Sequence, residues 1–276
     1  MASIFQVPPK DVMTSFVVKG LPPGGLFPIL RSHGWIDLAP ACPTDNGCMF
    51  SLSLPSGIAV TITLADTPTG ARCSCDTTLS RTDASLLARI VGYMLSLDFD
   101  LSSFEQMCRD RKDLQLLKLA SQGWGRMFRS PCLWEDAAKT LFTTNASWSH
   151  TQHMCNSLCK EFGERTPSGR RTFPAPAVIK VRRLSTLISK AGVGYRAISL
   201  KQLAERFSLQ NYDWLATARP EDAEQEVLSW HGFGKYAARH LLVLAGHHCF
   251  LPVDREVSSF LGTRKVGEPM PKEDAG

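Results

Sequence analysis

Two glycines, Gly232 and Gly234, limit the possible folds of this chain more than any other sequence feature. The residues before them, 222–230, have the pattern of a helix, and Lys235–Ala245 carries small and aliphatic side chains on one helical face. Glycine permits a sharp turn and leaves backbone amides uncovered. The pattern therefore predicts a helical hairpin over residues 228–245, in which two helices are joined by a tight glycine turn.

The uncovered amides belong to the N-terminus of the second predicted helix. The helix dipole favours an anion such as a phosphate at that end. Lys235 adds a positive charge at the same place. The alternative is a turn between helices that binds no ligand, and the residues alone leave both possibilities open.

One acidic residue, Asp254, follows Pro252 and Val253 and precedes a further apolar segment of helical character. An aspartate directly before a helix is a good N-cap. A carboxylate held in this way is also available for chemistry, and the two roles are compatible.

This order of helix, glycine turn, helix and Val253-Asp254 resembles the helix-hairpin-helix (HhH-GPD) DNA glycosylase superfamily. The turn of that family usually reads Pro-Gly-Val-Gly, whereas this chain has histidine at position 231 and phenylalanine at position 233. Segments with family-like sequence follow in the family's order at 123–131, 143–148, 173–176 and 192–197. The resemblance covers about 1–265 and is closest to the 8-oxoguanine and 3-methyladenine branches, which carry an additional N-terminal antiparallel β domain.

The fold class predicted for the chain is α+β. Residues 49–54 and 58–64 alternate apolar and polar side chains around a Pro-Ser-Gly turn, as the strands of an antiparallel sheet do. From Asp83 onward the pattern becomes helical. After a first helix that begins near Asp83, the predicted helices are 101–109, 111–120, 132–143, 150–162, 174–190, 198–207 and 222–230. We therefore predict a β-rich domain over 1–82, an all-helical HhH-GPD domain over 83–266 and a disordered tail over 267–276.

The resemblance implies a role for Asp254 and for Tyr236. When a base leaves its sugar, positive charge builds on the sugar, and the family's aspartate at the position of Asp254 stabilises that charge. Family members that also cut the strand carry a lysine two positions after the second glycine, where this chain has Tyr236. Lys235 is one residue earlier, about 100° around the helix, and is predicted to contact phosphate together with Gly232 and Gly234.

These positions predict a monofunctional enzyme in which water displaces the base. Two alternatives remain: Tyr236 as a packing aromatic residue without a role in the chemistry, and a bifunctional glycosylase/lyase that uses Lys235.

Asn145 lies in a loop where the 8-oxoguanine branch has an asparagine that fills the gap left by the extruded nucleotide. Enzymes that act on a base must flip it out of the stack, so Asn145 is the predicted wedge, with a simple turn former as the alternative. The same branch has a histidine two positions after its aspartate, and this chain has Glu256 there. This difference argues against oxidised guanine and leaves the substrate open.

Composition agrees with an intracellular, DNA-binding chain. The sequence has 276 residues, a net charge of +5 and no apolar run of the ~20 residues that a membrane helix needs. Basic residues cluster at Arg165, Arg170, Arg171, Lys180, Arg182, Arg183 and Lys190, which suits a polyanion or a solvated surface. The nine cysteines are an odd number and lack zinc-site spacing, so we expect reduced thiols and no metal. The N-terminus also lacks the pattern of a secretory signal.

The sequence thus predicts a monomeric base-excision DNA glycosylase that acts on double-stranded DNA with a damaged or mispaired base. It is expected to need no cofactor, apart from a monovalent cation at the carbonyls of the glycine turn, and to be nuclear if the organism is eukaryotic. The alternative is a non-catalytic DNA-binding protein that keeps the turn. The family continues past the aspartate helix with another helix, whereas this chain ends soon after residues 262–269, so reduced activity is a further expectation.

Overall fold

The computed structural model describes residues 14–68, 70–260 and 262. The chain divides into two compact units. The first unit takes in Met1–Pro131 and Leu158–Pro174, and the second takes in Cys132–Ser157 and Ala175–Gly276. The predicted tail at 267–276 lies outside the described residues.

The first unit contains a five-stranded antiparallel sheet. Its strands are β1 (Ser15–Val18), β2 (Cys42–Thr44), β3 (Gly47–Ser53), β4 (Ala59–Thr67) and β5 (Gly70–Cys75), in the order β1-β5-β4-β3-β2. The register of β3 and β4 pairs Phe50 with Ile62 and Leu52 with Val60. All four side chains are buried, because alternate residues of a strand face the same side of the sheet. The predicted N-terminal antiparallel sheet is confirmed.

Outside the sheet, this unit contains the helices α1 (Phe27–Leu30), α2 (Arg81–Met94), α3 (Ser102–Asp110) and α4 (Leu114–Ser121). It also contains a short 3-10 helix, Gly34–Asp37, and the end of a helix that spans Trp148–Phe162. The apolar face of α2 buries Leu87, Val91 and Met94, as its spacing predicts. The change from strands to helices falls between Cys75 and Arg81, whereas the compact units divide elsewhere, so the domain limits 1–82 and 83–266 stay predictions.

The second unit is helical throughout its described residues. Its helices are α5 (Leu133–Thr143), the first part of α6 (Trp148–Phe162), α7 (Pro176–Lys180), α8 (Leu184–Ala191), α9 (Ala197–Leu209), α10 (Pro220–Leu228), α11 (Lys235–Ala245) and α12 (Arg255–Phe260). Helix α11 packs against α5 and α10, and α5 also packs against α9. The second helix of the predicted hairpin therefore packs against two other helices of this unit.

The single helix predicted over 174–190 is wrong, because the structure breaks it into α7 and α8. Arg183, between them, has an extended backbone with φ −70° and ψ 144°. Ile179 of α7 and Leu187 of α8 are both fully buried, and both helices pack against α9. In one straight helix these two residues would point about 80° apart, so the break allows both to reach the same core.

Neither a membrane helix nor a metal cluster is found within the described ranges. None of the helices there has the length and apolar character needed to cross a bilayer. No group of three or more His, Cys, Asp and Glu side chains is arranged there to hold a metal ion. Burial raises the pKa of the thiols of Cys48 and Cys73 to about 12, so these cysteines of the sheet are protonated and act as apolar packing residues.

Candidate active site

The glycine turn (His231–Gly234) has the conformation that its glycines predict. Gly232 has a φ of +90°, which is unstrained only for glycine. A Cβ atom there would lie 2.8 Å from both Leu141 Cδ1 and Ser199 Oγ, so the close approach of α5 and α9 also requires glycine. Gly234 is the N-cap of α11 with a φ of −88°, and a Cβ atom there would meet nothing within 4 Å. Gly232 is therefore required by packing, whereas Gly234 faces open space.

Phe233 anchors the glycine turn in an aromatic core. Its ring centroid lies 5.4 Å from that of Trp230 at an interplanar angle of 83°, and its N–H donates to the Trp230 carbonyl at 3.1 Å. Trp230 is buried and also contacts Tyr212 and Phe207. This core holds the backbone of the turn at the N-terminus of α11.

The first two residues of α11 differ in their surroundings. Lys235 is exposed, whereas Tyr236 is half-buried. Successive helical residues are separated by about 100°, and this separation leaves the lysine in solvent and directs the tyrosine toward the interior. The geometry agrees with the different directions predicted for the two side chains, although their roles stay predictions.

Asp254 is the N-cap of α12. Its Oδ1 accepts a hydrogen bond from the Val257 N–H at 2.9 Å, and its carbonyl accepts from the Ser258 N–H at 2.9 Å. The charge of this carboxylate also affects Tyr236 of α11. Burial raises the pKa of Tyr236, and the negative charge of Asp254 raises this pKa further. A hydrogen bond with Thr143 has the opposite, smaller effect on that pKa. The charge of Asp254 therefore acts on Tyr236, although the two residues are far apart in the sequence.

His240 belongs to the same group, and the sequence analysis missed it. Its ring stacks on that of Tyr236, with centroids 5.9 Å apart and an interplanar angle of 17°, and its Nδ1 lies 3.3 Å from Thr140 Oγ1. Burial lowers the pKa of His240 to about 4, against the opposing effect of the Asp254 carboxylate. The ring is therefore neutral near pH 7. The signal that could have identified it is its spacing of four residues from Tyr236, which places both on one helical face.

Asn145 occupies the loop between α5 and α6, is exposed and has a φ of +48°. Asparagine adopts this left-handed conformation more readily than most residues, which agrees with the turn-forming role. The exposed side chain is also consistent with the wedge role, which stays a prediction.

Arg196, directly before α9, holds this loop and was not singled out by the sequence analysis. Its guanidinium is almost fully buried, and Nη2 donates to the carbonyls of Thr144 and Asn145, the latter at 3.1 Å. The guanidinium carbon also lies 4.6 Å from the centroid of the Tyr195 ring. A family-like segment in the sequence contains both residues, but nothing local indicates that the arginine points inward.

The basic cluster of the sequence is divided between the two units. Arg170 and Arg171 belong to the first unit, where they donate to the carbonyls of Pro40 and Gly163 at 3.3 Å and 2.8 Å. The members on α7 and α8 and between them belong to the second unit. Part of the cluster therefore makes hydrogen bonds within the first unit, and closeness in the sequence does not make the seven residues one surface.

The comparison of sequences finds similarity to a curated enzyme, and no family model matches the chain. The chain is similar to the N-glycosylase/DNA lyase of Saccharomyces cerevisiae, with 26% identity over 164 residues. This alignment covers 53% of the chain and 43% of the yeast protein, so the chain matches less than half the length of that relative.

The comparison of structures finds the same fold at low sequence identity. The 3-methyladenine DNA glycosylase of Archaeoglobus fulgidus matches with a TM-score of 0.66 and 17% identity over 84% of this chain and 79% of that one. The 8-oxoguanine glycosylase/lyase of Clostridium acetobutylicum, solved with double-stranded DNA containing cytosine opposite 8-oxoG, matches with a TM-score of 0.69 and 13% identity. The second match covers 96% of this chain and 89% of that one.

Proposed function

We propose that this chain, which shares the fold of the DNA glycosylases named above, belongs to the helix-hairpin-helix DNA glycosylase superfamily and is a DNA N-glycosylase. It extrudes a damaged or mispaired base from double-stranded DNA and hydrolyses the bond between base and sugar. The observation that carries this proposal is the Asp254 carboxylate, which is held as the N-cap of α12 in the same unit as the glycine turn at the start of α11. A DNA-docking element and a carboxylate are thereby combined in one unit.

The Asp254 carboxylate is the group to which we assign the chemistry. Loss of the base leaves positive charge on C1′ and the ring oxygen of the sugar, and a carboxylate placed beside that centre lowers the energy of the transition state. The cap of α12 engages Oδ1. We therefore assign Oδ2 to the sugar cation or to the attacking water.

Tyr236 supports a monofunctional reaction. A phenol at this position cannot form the Schiff base by which a lysine would cut the strand. Lys235 is exposed on the adjacent helical position and serves in the proposal as a phosphate contact. The product would then be an intact strand with an abasic site, even though both the yeast relative and the Clostridium enzyme carry the word lyase in their names.

DNA docks, in this proposal, through the amides at the start of α11. The open space at Gly234 allows a phosphate to approach the backbone closely. A monovalent cation at the carbonyls of the glycine turn stays a prediction, and no step of the proposed reaction depends on it. Because the proposed substrate is double-stranded DNA, we also propose that the protein acts in the nucleus if the organism is a eukaryote.

The decisive experiment measures excision from duplexes that each contain one lesion: alkylated adenine, hypoxanthine, uracil, thymine opposite guanine, or oxidised guanine. Each product is analysed with and without hot alkali. A monofunctional enzyme gives strand breaks only after alkali, and Asp254→Asn lowers their rate at least about a hundredfold. The matched control is Asp222→Asn, because Asp222 is an exposed carboxylate of α10 that pairs with Arg219; this variant keeps the wild-type rate.

The same experiment separates the alternatives. Duplex binding without excision of any lesion would contradict the glycosylase proposal and leave a non-catalytic DNA-binding protein. Breaks without alkali would indicate a bifunctional enzyme. The lesion that is excised fastest names the substrate, for which the structural relatives offer both an alkylated and an oxidised base.

A further inference from the structure

His231, the first residue of the glycine turn, has a specific partner. Its Nδ1 lies 2.7 Å from Ser199 Oγ on α9. His231 is exposed, whereas Ser199 is 4% exposed, so the serine holds the ring from the protein side. Because this hydrogen bond occupies Nδ1, the other ring nitrogen, Nε2, is left for a further partner.

Ser199 also determines the position of the backbone beside the ring. Its Oγ and Cβ would lie 2.8 Å and 3.0 Å from a Cβ atom at Gly232, so its side chain is packed directly against the turn. One buried residue thus sets both the orientation of the imidazole and its position relative to the amides at the start of α11.

A serine hydroxyl can donate to Nδ1 or accept from it. When it donates, the neutral ring carries its proton on Nε2. When it accepts from a neutral ring, the proton is on Nδ1 and Nε2 is an acceptor. The arrangement in which Ser199 donates therefore makes Nε2 an outward hydrogen-bond donor at the turn, which suits an anion.

The charged groups of the surrounding elements agree with this assignment. Lys235, at the start of α11, is exposed and positive. Arg196, on the helical turn before Ser199, is engaged with the loop carbonyls after α5. Glu226 of α10 accepts from Trp230 Nε1 at 2.9 Å and lies 3.6 Å from Arg206 Nη1, so this carboxylate has its own partners.

We propose that His231 is a DNA-phosphate ligand whose Nε2–H is directed by Ser199 toward the backbone phosphate at the glycine turn. This inference rests on the proposed function, because it deepens the DNA-docking role of the turn. It assigns a contact to a position at which the resembling family usually has proline, a residue that has neither a side-chain donor nor an N–H.

The test measures the affinity for a short fluorescein-labelled duplex with a tetrahydrofuran abasic analogue, by fluorescence anisotropy. His231→Pro keeps a residue that suits such turns and removes the donor. We expect it to bind about tenfold to a hundredfold more weakly than the wild type, the size of one hydrogen bond to a charged group. Thermal unfolding of each variant checks that the fold is retained.

Ser199→Ala provides the second variant, because it removes the partner of the ring and leaves the ring itself. If Ser199 acts through His231, the single change weakens binding about twofold to fivefold. In the His231→Pro background it then has no further effect on affinity. A structural effect of the serine alone would lower affinity equally in both backgrounds and would contradict the positioning role.

Equal duplex affinity of His231→Pro and the wild type overturns the inference. Failure of the proposed function gives a different result. A wild type that binds the duplex but excises no lesion contradicts the glycosylase proposal, and its duplex affinity can still be compared with those of the variants. A wild type that does not bind the duplex overturns both.

Discussion

Tyr236 occupies the position that, in our proposal, decides between hydrolysis and strand cutting, and its surroundings explain what a substitution there would do. It is half-buried, is stacked on His240 and lies near the negative charge of Asp254. An amine at this position would be next to the same carboxylate. The burial that raises the pKa of the phenol would lower the pKa of a lysine, because both shifts disfavour the charged form.

We therefore predict that Tyr236→Lys gains a covalent intermediate with DNA. Borohydride should trap an enzyme–DNA complex at least about tenfold above the wild-type level, which corresponds to about 1.4 kcal/mol. Tyr236→Gln is the matched control without an amine and should give no trap. A wild-type complex that disappears in Lys235→Gln would instead show that Lys235 forms the Schiff base.

The glycine turn is the element in which packing and DNA docking can be separated experimentally. Gly232 has a positive φ and closely approaches two neighbouring side chains, whereas Gly234 has an ordinary φ and open space around it. The same substitution at the two positions therefore tests two different properties of one turn.

Gly232→Ala should lower the free energy of unfolding by about 1–3 kcal/mol, because it adds backbone strain and a close contact with Leu141 and Ser199. Gly234→Ala should keep the unfolding free energy within about 1 kcal/mol and weaken duplex binding, since the new methyl group would occupy the space where we propose that the phosphate approaches. Urea unfolding and anisotropy measure the two effects. Unchanged duplex affinity in Gly234→Ala would count against docking at these amides.

At the scale of the whole molecule, the buried His240 links the stability of the fold to pH. Its folded-state pKa of about 4 lies below the ordinary value of 6.5, so between these values the unfolded chain binds a proton that the folded chain does not. The contribution of neutral His240 to the free energy of unfolding is complete above pH 6.5 and is lost as the pH falls toward 4.

We predict that this one group lowers the free energy of unfolding by the order of 3 kcal/mol between pH 7 and pH 4. Urea unfolding at several pH values measures the loss in the wild type and in His240→Gln, which cannot titrate. The difference between the two proteins should shrink steadily as the pH falls through this window. Parallel loss of stability in both would show that other groups cause the acid sensitivity.

Local sequence patterns determined most of the framework. The alternation of residues 49–54 and 58–64 predicted the strands that pair in the sheet, and the Gly-x-Gly sequence predicted the turn before α11. The position of Asp254 before an apolar segment predicted its capping of α12. Such features were accessible because they depend on neighbours within a few residues, where strand alternation, helical periodicity and glycine conformation act.

Only the tertiary structure decided which distant side chains meet. Ser199 and His231, and Arg196 and the Asn145 loop, are brought together by the packing of different elements, and the charge of Asp254 acts on Tyr236 of another helix. The break between α7 and α8 has the same origin, since it lets two buried residues reach one core. Long-range packing can override local periodicity, and it leaves no periodic pattern in the sequence from which it could be predicted. The framework of this protein could therefore be predicted from its sequence, whereas the partners within its candidate site could not.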